Sequence, residues 1–149
     1  MSWAVEEYAE DAVVAYLGSK LAAGLLAVYP AWTDTEIKYP CVIIHAGESG
    51  NVTGQFNGVR RLSMSLAVMS EAVAQGGMTA REANRKYRNA VIEALAYDDL
   101  HDEINALKPF GVEFSRAEVG AITRSVDEAR RVFVSEIALD CIAAPKELI

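Results

Sequence analysis

The side chains of this chain that could act on a substrate are two histidines, two cysteines and a few adjacent acids. His45 and His101 fall on different expected elements, so a histidine-based triad would need an activated serine or cysteine held beside one of them. Cys41 precedes His45 by four positions on an expected strand. Strand rise would set their side chains on one face about 13 Å apart, beyond the reach of a general base. There is no CxxC and no cysteine–histidine cluster to hold a metal. Cys41 and Cys141 each sit in an apolar run and read as buried, reduced thiols. The pairs Asp98–Asp99 and Asp127–Glu128 fall where turns and caps want acids, without further ligands at metal spacing. The segment Gly47-Glu-Ser-Gly-Asn-Val-Thr-Gly54 is glycine-rich like a phosphate loop. It lacks the following lysine and hydroxyl pair, and a strand rather than a helix N-terminus comes next. It reads as a flexible loop. The expectation is a non-enzyme with no catalytic residue, cofactor or metal.

The arginines are more informative. Arg60 and Arg61, and Arg130 and Arg131, flank strand starts, while Arg116 and Arg124 lie on the first arm of a closing hairpin. One reading is a solvated strand edge, where charge discourages unwanted pairing. The other is an interface in which they meet Glu113, Glu118, Glu136 or Asp140 of a neighbour, since arginine is enriched at interfaces. The candidate interface set is Arg60, Arg61, Arg116, Arg124, Arg130, Arg131, Glu136 and Asp140, with Gly47, Glu48, Gly50 and Gly54 of the loop.

The elements that would position these residues follow from periodicity. Ser2 can cap a first helix with Glu6, Glu7, Glu10 and Asp11 near its positive end. Val5, Tyr8, Ala12, Ala15 and Tyr16 recur at helical steps. Gly18 either kinks this helix or separates it from a second helical segment over roughly 20–28, which ends before Pro30. Pro40 opens a buried strand, Cys41-Val-Ile-Ile-His45, since proline is tolerated at a strand's first residue. Residues 46–57 are expected as a long mobile connection. From Val59 to Met69, Leu62, Met64, Leu66 and Val68 alternate with Arg61, Ser63 and Ser65, as in a half-buried strand. Thr79-Ala-Arg-Glu82 is a capping box. The helix it opens runs to about Ala96, with Ala83, Tyr87, Ala90, Val91, Ala94 and Leu95 inward and Arg81, Glu82, Arg85, Lys86, Asn89 and Glu93 outward. Asp98 or Asp99 can cap a short further turn holding Leu100, Ile104 and Leu107. Residues 110–124 and 130–143 then form a wide hairpin with Phe133, Ile137, Leu139 and Cys141 inward and Glu136 and Asp140 on the other face.

These elements define an α+β fold: a mixed or antiparallel sheet of about four strands, helices on one face, in the order α-β-β-α-β-β. A length of 149 residues suits one domain, with an N-terminal helical region at 2–28 and an α/β core at 37–144. The chain is 52% hydrophobic and 23% charged, with a net charge of −7. That acidity argues against gripping nucleic-acid backbone, which needs a basic face. The opening residues lack the basic, then apolar pattern of a signal peptide, and the longest apolar run, Leu21 to Trp32, is too short to span a bilayer. A cytoplasmic site of production is expected.

The order of elements, the Tyr39-Pro40-Cys41-Val42-Ile43-Ile44 strand, the alternating strand ending in Ser70-Glu71, the arginine- and lysine-studded helix and the closing strand pair together resemble the tail terminator family. These are also called tail-completion or minor tail proteins of tailed bacteriophages. The resemblance covers essentially the whole chain by element order and texture. It implies a structural virion protein that closes the head-proximal end of a tail tube as a ring, six-fold in the family. Such a ring ends tube growth and joins the tail to the neck. The implied partners are further copies of the chain, the tube protein and neck or connector proteins. DNA would pass through the lumen without specific binding, and no membrane is involved. Assembly would take place in the host cytoplasm and the product would reside in the virion. Family members carry no catalytic residues, so none is carried over. Two alternatives stand beside this reading. One is a different neck or head-completion connector. The other is a small ligand-binding α/β domain with a pocket under the Gly47–Gly54 loop, where His45 and Glu48 are the candidate groups.

Overall fold

The protein was analysed as a computed structural model, which describes residues 5–31, 33–51 and 59–146. Five strands, β1 (Ala27–Pro30), β2 (Cys41–Asn51), β3 (Arg60–Glu71), β4 (Val112–Asp127) and β5 (Val132–Pro145), form one sheet in the order β1-β2-β3-β5-β4. β1 runs parallel to β2, and every other neighbouring pair is antiparallel. Three helices, α1 (Val5–Lys20), α2 (Ala80–Leu95) and α3 (Leu100–Asn105), complete the fold. The class is α+β, with five strands where about four were expected.

The core forms where the strands' inward residues meet the helices. Val42, Ile44, Leu62, Met64, Leu66, Val68, Ile137, Leu139 and Cys141 lie on one face of the sheet, buried with Val13, Tyr16 and Leu17 of α1 and Ala83, Val91 and Leu95 of α2. The alternation read from Leu62 to Val68 is thus the core face of β3. Tyr16 donates its hydroxyl proton to the Ala94 carbonyl, tying α1 to the end of α2. Burial pushes that phenol up to about 12. The opposite face carries a smaller cluster of Cys41, Met69 and Val132, against which Tyr29 and Tyr39 pack.

The capping box forms as read: Thr79 Oγ1 accepts from the Glu82 N–H at 3.1 Å, and Glu82 Oε1 reaches back to the Thr79 N–H at 3.5 Å. Asp99 stands at the start of α3 but makes no side-chain capping bond. The hairpin also forms, with Glu136 and Asp140 on the face away from the core residues.

Two expectations are corrected. The helical region placed at 2–28 ends at Lys20, and Ala27–Pro30 is a strand. Gly18 lies within α1, near its end at Lys20, so it does not separate two helical segments. Gly24, at φ +76°, helps turn the chain between α1 and β1, a conformation that glycine adopts without a Cβ penalty. Pro30 then sits at the end of an edge strand, where its missing N–H costs no ladder bond. The expected cap Ser2 lies outside the described residues.

The second correction concerns the connection at 46–57. β2 continues through Gly47, Glu48, Ser49 and Gly50 to Asn51, paired to β3 as far as Asn51–Arg60, with the register shifting between Ala46 and Ser49. A Cβ at Gly47 would stand 2.9 Å from the Ser63 carbonyl oxygen, so this close backbone approach is reserved for glycine. Gly54 and the rest of 52–58 lie outside the described residues.

Candidate functional site

The groups with chemical potential remain apart. Cys41 and Cys141 are free, buried thiols, pushed up to about 11 and about 12 by burial, with Asp140 adding to the effect at Cys141. Such thiols are poor nucleophiles at neutral pH. His45 is exposed on β2. Among the described residues, no three histidine, cysteine or acidic side chains are grouped so as to hold a metal ion. No helix among them is long and apolar enough to cross a membrane.

The space under the Gly47–Gly54 loop falls largely outside the described residues, which hold a cavity of their own. It is a cleft of about 330 Å³ between α2 and the far end of the β4–β5 hairpin. Arg81, Arg85 and Arg88 enter it from α2, and Arg124 enters it from β4. The α2 arginines share a stripe because positions i, i+4 and i+7 fall on one helix face. Arg124 joins them because β4 pairs it opposite Ser135 of β5, on the sheet face that α2 overlies. Val126 and Phe133 supply apolar wall.

The floor is fixed by a polar chain. Asn84 is buried, 5% exposed, and its Nδ2 lies 2.9 Å from Ser70 Oγ, 3.2 Å from the Phe133 carbonyl and 3.3 Å from the Val68 carbonyl. Ser135 Oγ donates to Asn84 Oδ1 at 2.6 Å, and Arg88 Nη1 approaches Ser135 Oγ at 3.4 Å. A buried amide with its partners in place holds a single rotamer, and through Ser135 it steadies Arg88.

The charge in this cleft is unbalanced. The ion pairs among the described residues are Lys20–Glu103, His101–Asp102, Arg116–Glu118 and Arg130–Asp127. None includes the four cleft arginines. Burial and the charges of Arg124 and Arg85 lower the pKa of Arg88, the direction expected of a cation crowded by cations. Arg81 also stands in the first turn of α2, where the helix dipole already disfavours a positive charge. Arg81, Arg85 and Arg124 are exposed and screened by solvent, yet in a chain of net charge −7 this concentration of positive charge stands out. Chemically it is a receptor for carboxylates or other oxyanions, which guanidinium groups bind in paired hydrogen bonds.

Of the residues singled out from sequence, only Arg124 lines the cleft. Arg116 Nη2 bonds Glu118 Oε2 of its own strand at 2.8 Å, and Arg130 lies by Asp127 across the hairpin turn. Arg131 occupies the left-handed region at φ +56°, and its carbonyl accepts from the Ala72 N–H at 2.8 Å. Glu136 accepts from Ser65 Oγ at 2.7 Å, and Asp140 stands opposite Ser63 and Glu118. Arg60 and Arg61 begin β3 beside Asn51 and Gly50 and point to opposite faces, as successive strand residues must. Gly47, Glu48 and Gly50 lie in β2, far along the sheet from the cleft. Sequence reasoning missed Arg88 and left Arg81 and Arg85 as solvated charges.

The sheet's two edges are treated differently along their length. The Asn105 side chain closes the start of β4, donating to the Phe114 carbonyl at 2.7 Å and accepting its N–H at 2.9 Å. Beyond that point no strand among the described residues lies on the outer side of β4, and Val119, Ile122 and Val126 are 37%, 44% and 53% exposed. At the other edge β1 reaches β2 only as far as Ile44. Just past it the buried Glu10 of α1 accepts the Ala46 N–H at 2.8 Å.

No family model matches the chain, and no curated protein matches it in sequence. Among solved structures, the fold is similar to that of a chain in the virion of a native gene transfer agent particle, with a TM-score of 0.64. The two share 15% sequence identity, over 96% of this chain and 99% of that one.

Proposed function

We propose that this chain is a structural subunit of a phage-like particle, and that it closes the head-proximal end of a tail tube as a ring, joining tail to neck. The observation that carries the reading is the end-to-end likeness of its fold to a gene transfer agent virion chain, which leaves neither partner with an unmatched domain. The element order read from sequence points the same way. A closed ring requires a heterologous interface, in which two different patches of one subunit meet. The long β4–β5 hairpin, with its partly uncovered outer strand, offers one such patch. An acidic chain would let DNA pass the lumen without trapping it. In this reading the protein catalyses nothing.

The test is electron microscopy of particles made when the gene is silenced in its parent genome. Over-long tails, or tails without heads, are the expected result. Normal particles would refute the role. Heads that fill but carry no neck, with tails of normal length, would indicate a connector other than the terminator.

A further inference from the structure

We propose that the arginine cleft is the acceptor half of a head-to-tail contact between copies of this chain, and that it takes Asp98 and Asp99 of the adjacent subunit. The inference rests on the ring reading above and names the residues that would close the ring.

The cleft needs an anionic partner with an apolar neighbour. Arg81, Arg85, Arg88 and Arg124 form no ion pair among the described residues, while Val126 and Phe133 wall the same space. A free phosphate would satisfy the guanidinium groups but leave those walls against water. The turn after α2 carries the complementary set. Asp98 and Asp99 are both exposed and belong to none of the ion pairs among the described residues. Asp99 occupies the capping position of α3 without using its side chain there. Beside them Tyr97 is 43% exposed.

The two halves cannot meet within one molecule. From Arg85 to Leu95, where α2 ends, the helix alone rises roughly 15 Å, and Asp98 lies beyond that end. The basic cleft flanks the first half of α2 and the acidic turn follows its end, so α2 presents unlike charge at its two ends. That is the geometry of a heterologous contact, in which each subunit offers its acid turn to the next and its cleft to the one before. Carboxylates meeting guanidinium groups in a partly dry cleft fix register as well as adding affinity.

Sedimentation velocity of the full chain over a dilution series tests this with three variants. Arg81→Glu/Arg85→Glu reverses exposed cleft charges and spares Arg88 and its bond to Ser135. Asp98→Arg/Asp99→Arg reverses the turn. The third variant combines all four changes. Circular dichroism confirms that each retains the fold. The wild type is expected to self-associate. Each double reversal should weaken association about a hundredfold, because like charges brought together cost several kcal/mol, and the four-fold variant should recover it. A wild type that stays monomeric throughout overturns the proposal. So does a cleft reversal that is not rescued by reversing the turn, which would mean that another group occupies the cleft. If rings form regardless of both reversals, this contact is wrong and the ring reading survives. If the charge swap works but silencing the gene leaves tails normal, the contact stands and the terminator role falls.

Discussion

Glu10 offers a direct measure of how the fold handles an open sheet edge. Its carboxylate is 6% exposed on α1 and accepts the Ala46 N–H at 2.8 Å, just where β1 no longer reaches β2. Burial raises its pKa above the ordinary 4.5, against the opposing pull of the Ala46 N–H, His45 and the Ala31 backbone. Glu10→Ala leaves a buried N–H without an acceptor, which costs about 1–3 kcal/mol. Loss of a buried methylene adds roughly 0.8 kcal/mol, partly offset by removal of a buried charge. Glu10→Gln keeps one acceptor and the side chain's volume, so it should stay within about 1 kcal/mol of wild type at neutral pH. The pH dependence has a definite sign. Because the folded pKa lies above the unfolded one, the native state takes up the proton first. Glu10's contribution is then fully present below the unfolded value and is lost as pH rises through the folded value. Urea denaturation from about pH 4 to about pH 8 should show wild type gaining on Glu10→Gln as pH falls through that window. Equal stability of the Ala and Gln variants would refute the acceptor role. A pH-independent gap between wild type and Gln would refute the burial argument.

Asn84→Ala should destabilise by about 2–4 kcal/mol, because Ser135 Oγ and two backbone carbonyls lose a buried partner at once. Asn84→Ser should recover little of this, since a hydroxyl cannot span the same acceptors, and thermal unfolding would rank the three proteins. The thiols at Cys41 and Cys141 should react with a thiol reagent at neutral pH only at the rate of global or local opening, since their pKa values of about 11 and about 12 leave almost no thiolate. Labelling that is fast and unaffected by denaturant would contradict their burial.

Much of the core was legible in sequence because its signals are local. Leu62, Met64, Leu66 and Val68 alternate with polar residues and so announce both a strand and its inward face. Thr79 and Glu82 announce a helix start from three residues' spacing. β1 was not legible. A short apolar run such as Leu21 to Val28, rich in alanine and leucine, reads equally as buried helix, and only its parallel pairing with distant β2 decides the matter. The glycines at 47 and 50 read as loop because glycine weakens strands, yet here Gly47 is the residue that lets β2 lie close to Ser63. The arginine cleft was half legible. Arg81, Arg85 and Arg88 form a stripe visible in sequence, and a cation in the first turn of a helix is itself a signal of charge placed against stability. Arg124 comes from another element, so no spacing rule could have joined it to them.

The edges and the cleft bear on one another. An uncovered strand with apolar side chains is a site of unwanted pairing unless something blunts or covers it. This fold spends a buried glutamate on the open end of β2 and an asparagine amide on the start of β4. Among the described residues it leaves β4 bare from Arg116 onward, where Val119, Ile122 and Val126 are part exposed. The bare stretch runs directly into the cleft, since Arg124, Ser125 and Val126 line it. A neighbour whose acidic turn entered the cleft would lie along this strand and cover the same apolar residues. The bare strand and the unpaired arginines would then be covered by one contact. The charge reversal and a polar substitution at Ile122, such as Ile122→Thr, should accordingly weaken self-association more together than the sum of their separate effects, or less. Strict additivity would mean that they belong to separate surfaces.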